Sequence, residues 1–183
     1  MGATSRLDMR PASSAICLRE NYHGKHHLAL LLSIVLVVAC AAFAGTTPAP
    51  RHRFWVSAGQ GFGLLIAAAE YSCAYQTGRY LVMARCCATG IPVMIDAPPP
   101  YIADFGLLFG LGSAGRTVHR SVAAGISYVE AAGGLRTVGI PLEAGITWTP
   151  LPVVGIGATL FGNLNTILPF AGIVLHLRAG KLR

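Results

Sequence analysis

Between residues 138 and 148 every second side chain is apolar: Val138, Ile140, Leu142, Ala144, Ile146 and Trp148. Gly139, Pro141, Glu143, Gly145 and Thr147 fill the places between. A period of two means an extended strand with unlike faces, because successive strand side chains point to opposite sides. Val154, Ile156, Ala158 and Leu160 repeat the pattern against Gly155, Gly157 and Thr159. Ala171, Ile173, Leu175 and Leu177 repeat it against Gly172, Val174, His176 and Arg178. The alternation predicts eight strands, at 54–64, 67–76, 79–88, 101–112, 118–130, 137–149, 153–164 and 168–181. Each has the roughly ten residues that a tilted strand needs to cross a bilayer.

Composition decides which medium the apolar face meets. The hydrophobic set makes up 54% of the chain and the charged set only 11%, against about a quarter charged in soluble domains. A soluble sandwich would carry Lys and Glu on its outer faces, and these strands carry almost none. The expected fold is therefore all-β, an eight-stranded antiparallel up-and-down membrane β-barrel with lipid outside and a packed interior. A helical reading of the uncharged run between Glu143 and His176 conflicts with Pro150, Pro152 and Pro169, and with the period of two. The net charge of +7 contains no Lys/Arg run, so nucleic-acid binding has no support.

Residues 28–44 (LALLLSIVLVVACAAFA) are uncharged, follow Arg6, Arg10, Arg19 and Lys25, and close on Ala42-Phe43-Ala44. That is the layout of a signal peptide with a long n-region, cleaved after Ala44. Val37-Val38-Ala39-Cys40 offers a second reading, lipidation at Cys40. A Pro/Thr-rich linker at 45–53 then precedes the barrel at 54–183. Beyond the leader, Cys73, Cys86 and Cys87 lack both a disulfide framework and zinc-ligand spacing, and read as small hydrophobes.

With the amino end in the periplasm, the turns at 77–78, 113–117 and 150–152 fall on that side and are short. The longest connection, 89–100, falls on the outer side together with 131–136. Short periplasmic turns and longer outer loops are the barrel pattern. Phe54, Trp55, Tyr75, Tyr80, Tyr101, Tyr128 and Trp148 lie near strand ends, where girdles would form.

The inward faces hold Glu70, Asp104 and Glu143 with Arg85, His176 and Arg178. A two-residue turn at Thr77-Gly78 sets Glu70 directly across from Arg85, and Tyr75 against Tyr80 outside. Eight strands leave room only for side chains, so these charges read as a structural plug of ion pairs. His119 and Ser121 form an H-x-S pair of the kind some outer-membrane lipid hydrolases use, but no acid is placed to orient them. Gly110, Gly112 and Gly115 fit G-x-G-x-x-G, yet a strand follows where a nucleotide site needs a helix. They read as close-packed inward positions and a turn. No metal cluster or cofactor motif is visible.

The run GIPLEAGITWTPLPVVGIGATLFGNLN (139–165), with FAGIVLHLRAGKLR (170–183), resembles a family of small uncharacterised bacterial outer-membrane β-barrel proteins. Their strand–TG–strand hairpin is similar to residues 75–80, and they end in a similar G-K-L-R. The resemblance implies a cleaved signal peptide and an outer-membrane barrel, and brings no activity, ligand or catalytic residue. The chain ends in Arg183 where many outer-membrane barrels end in an aromatic residue. The expected role is structural, adhesive or surface-binding, non-enzymatic and monomeric, with the bilayer as partner and the outer loops as the contact surface. The alternatives are a periplasmic or lipid-anchored barrel holding an apolar ligand, and the lipid hydrolase.

Overall fold

The computed structural model describes residues 52–63, 67–90 and 101–183. The leader, the lipidation motif at Cys40 and residues 91–100 of the long connection lie outside the described residues. The strands are β1 (His52–Gly63), β2 (Ala67–Thr77), β3 (Tyr80–Gly90), β4 (Tyr101–Ala114), β5 (Val118–Ala131), β6 (Leu135–Trp148), β7 (Val154–Asn165) and β8 (Phe170–Lys181). They close in sequence order into an antiparallel barrel, with β8 pairing back to β1. β1 starts two residues before the expected boundary, and β4 runs two residues further than expected. The 131–136 connection shrinks to a 3-10 turn at Ala132–Gly134, made possible by left-handed Gly133 (φ 82°) and Gly134 (φ 74°).

The stagger of the barrel can be followed through its inward residues. From Thr147 the hydrogen-bonded partners run through Gly157, His176, Gly59, Glu70, Cys87, Asp104 and Val129, returning to β6 at Thr137. The circuit closes ten residues from its start, a shear of ten. Such a stagger requires strands tilted by roughly 35–45° to the axis.

The β2–β3 register differs from the one expected. The turn is Gly78-Arg79, with Gly78 at φ 57°, so Thr77 pairs with Tyr80. Arg85 therefore faces Ser72, Glu70 faces Cys87, and Tyr75 faces Val82. The slip is two residues, which keeps every side chain on its expected face while changing its partner.

Burial alternates as the sequence does. On β1, Arg53, Trp55, Ser57 and Gly59 are buried while Phe54, Val56 and Ala58 are exposed. Phe62 is 73% exposed, Leu175 69% and Phe105 64%. Side chains of that size do not form a continuous exposed belt in water, so the belt fits lipid. Inside, Cys87, Ile102, Val129, Phe161, Phe170 and Val174 pack near the long-loop end. Trp55, Ala74, Leu81, Met83, Leu108 and Leu182 pack near the short-turn end. Arg85 borders the first group through Phe161, and Arg178 borders the second through Trp55.

Candidate functional site

Arg85, on the inward face of β3, is fully buried and gathers its partners from three other strands. Its Nη2 donates to Asp104 Oδ2 at 2.6 Å, and Nη1 donates to the Leu142 carbonyl at 3.1 Å. Nη1 also lies 3.7 Å from Glu143 Oε2. The guanidinium sits 6.0 Å from the centre of the Phe161 ring. Asp104 Oδ2 accepts a second hydrogen bond from Asn163 Nδ2, which also reaches Ser127 Oγ at 2.7 Å. A buried guanidinium is tolerable when its charge and most of its donors are matched, as Nη1 and Nη2 are here, while Nε has no hydrogen-bond partner among the described residues.

A second network lies toward the short turns. Arg178 Nη1 donates to His119 Nδ1 at 3.1 Å, which leaves His119 Nε2 to donate to Gln76 Oε1 at 2.7 Å. Gln76 Nε2 then donates to the Gly112 carbonyl at 3.0 Å and the Gly78 carbonyl at 2.7 Å. Arg178 stacks 5.1 Å over Trp55, and Trp55 meets His119 edge-on at 5.1 Å. His176 is held between the Thr147 hydroxyl at 3.1 Å and the Thr159 hydroxyl at 3.0 Å. Near the short-turn mouth, Arg53 Nε donates to the Leu182 carbonyl at 3.0 Å.

All six charged positions singled out in the sequence are buried inside the barrel. The structure brings Arg85, Asp104 and Glu143 together. It does not join Glu70 to Arg85 as an ion pair. Glu70 is 2% exposed, and its Oε2 has no hydrogen-bond partner. The residues not singled out beforehand are Asn163, Gln76 and Ser127, neutral amides and a hydroxyl that complete the networks. Their signal was the inward phase of the alternation, which charge alone does not reveal.

Solved β-barrel structures superpose on this one. The N-terminal β-barrel domain of Pseudomonas aeruginosa OprF superposes with a TM-score of 0.55 at 12% identity, covering 72% of this chain and 98% of that one. Neisserial surface protein A gives 0.51 at 13% identity, with 70% and 94% covered. Ail, the attachment invasion locus protein of Yersinia pestis, gives 0.50 at 10% identity, with 73% and 99% covered. The likeness is one of fold. No protein-family model matches the chain, and a search of curated proteins finds no relative.

That fold fixes what the remaining motifs can do. Ser121 and His119 both point into the interior, away from the lipid-facing surface. Both ring nitrogens of His119 are committed, to Arg178 and to Gln76, so neither is left to take a proton from Ser121. Gly110 and Gly112 face inward, and Gly115 forms the turn, its N–H bonded to the Val118 carbonyl at 2.8 Å. Cys73 and Cys86 lie on the lipid-facing side, and Cys87 is buried.

Proposed function

We propose that this chain is a monomeric outer-membrane β-barrel with a structural, adhesive or surface-binding role and no catalytic activity. The observation that carries the reading is the inversion of the two faces, bulky apolar residues outside and charges inside. A periplasmic carrier of an apolar ligand needs the opposite arrangement. The interior argues against a pore, since side chains and ion pairs fill an eight-stranded lumen. Two of its structural neighbours are named as a surface protein and an attachment invasion locus protein, which supports an adhesive or surface-binding role.

In detergent the full chain should show heat-modifiable gel mobility, and in planar bilayers it should give no conductance steps. Solubility without detergent would remove the membrane reading, and stable open-channel steps would remove the closed scaffold. Ser121→Ala should leave the lipid profile of expressing cells unchanged, because its neighbouring histidine has no free nitrogen. Accumulated lysolipid with the parent, lost in the variant, would restore the hydrolase.

A further inference from the structure

Charge is distributed unevenly between the two ends. Among the described residues, Arg79, Arg116, Arg120 and Lys181 are exposed at the short-turn end, with no exposed acid beside them. Arg79 sits in the β2–β3 turn, 5.4 Å over the Tyr80 ring. Arg116 is in the β4–β5 turn, Arg120 lies on the outward face of β5, and Lys181 ends β8. Of the described acids, Glu70, Asp104 and Glu143 are buried inside. Glu130 lies at the opposite end, 3.8 Å from Arg136. Among the described side chains, no acid therefore neutralises the basic end.

These cations stand at the level where headgroups begin. Phe54, Tyr75, Tyr80 and Trp148 are exposed on outward faces at the same end. Such rings settle at the boundary between hydrocarbon and headgroups. Long basic side chains rooted there lay their stems on the apolar wall and extend their charge into the phosphate layer. Trp148 pairs with Val118, two residues from Arg120, so ring and guanidinium are diagonal neighbours across the β5–β6 ladder.

We infer that the short-turn end is a binding surface for anionic phospholipid headgroups of the surrounding leaflet. The argument rests on the membrane-spanning reading above. Charge complementarity selects the occupant, since an unpaired basic rim in a bilayer attracts phosphate-bearing lipids over zwitterionic ones. It would hold the barrel at a fixed depth and fix which end faces that leaflet.

The two tryptophans make the test direct. Trp148 is 56% exposed on the outer wall and Trp55 is 1% exposed inside, so lipid-borne bromine reaches only the first. The full chain is reconstituted into vesicles of mixed phosphatidylglycerol and phosphatidylcholine, with one or the other brominated. Brominated phosphatidylglycerol should quench Trp148 as though enriched about three- to fivefold around it, the scale of one cation–headgroup contact. The enrichment should fall toward one in a variant carrying Arg116→Gln and Arg120→Gln, and should shrink in high salt. Arg136→Gln, at the opposite end, should leave it intact. Equal quenching by the two lipids overturns the inference while leaving the inserted barrel standing. So does a preference that survives the double substitution. No quenching by either lipid overturns both.

Discussion

Replacing Arg85 with leucine should destabilise the barrel by about 3–5 kcal/mol, read as the urea midpoint of the folded gel band in micelles. The guanidinium is the shared partner of Asp104 and Glu143 and also occupies the Leu142 carbonyl. Its removal strands two buried carboxylates. The cost lies in the orphaned acids, so adding Asp104→Asn to Arg85→Leu should recover part of it. Glu70→Gln should behave otherwise and stay within about 1 kcal/mol of the parent, because Glu70 Oε2 has no hydrogen bond to lose. It also removes one of the three buried acids of the interior, where Glu70 lies near Glu143. A variant of Glu70 as damaging as that of Arg85 would contradict this hierarchy.

Gly110→Val should prevent barrel assembly, at a cost above about 3 kcal/mol. A Cβ at Gly110 would overlap the Val122 carbonyl oxygen and come within 2.6 Å of Ala123 Cα. These are backbone atoms of the paired strand, so no rotamer change relieves the clash. Gly125, opposite Leu108 on the same ladder, is constrained in the same way by Leu107 and Leu108. Gly115→Ala provides the contrast within one motif. Its Cβ would meet only the Val118 carbonyl oxygen at 3.4 Å, an ordinary contact. The alanine variant should yield the heat-modifiable band at parental level, while the valine variant should yield none. Equal behaviour of the two would mean that β4 and β5 do not approach as described.

The contrast between Gly110 and Gly115 also marks how far a sequence can be read. Alternation placed Gly110 on an inward face and Gly115 in a turn, yet nothing in the chain says that Val122 lies against one of them. The inward charges show the same division. Parity assigned Glu70, Arg85, Asp104, Glu143, His176 and Arg178 to one face, and a two-residue error in the β2–β3 register could not disturb that assignment. It did disturb the pairing. Tyr75 and Tyr80 keep their lipid-facing places without facing each other, and Arg85 turns from Glu70 to Asp104 and Glu143. The roles of Asn163, Gln76 and His119 were out of reach because each bonds a residue dozens of positions away.

Strand count, the face of each side chain and the medium outside come from a period of two, a local property that every residue carries. Partnership is different in kind. Which acid neutralises Arg85, which carbonyl caps it and which nitrogen of His119 is occupied depend on the stagger of ten residues around a closed sheet. That stagger is the sum of eight registers, and the sum is complete only once the last strand has met the first.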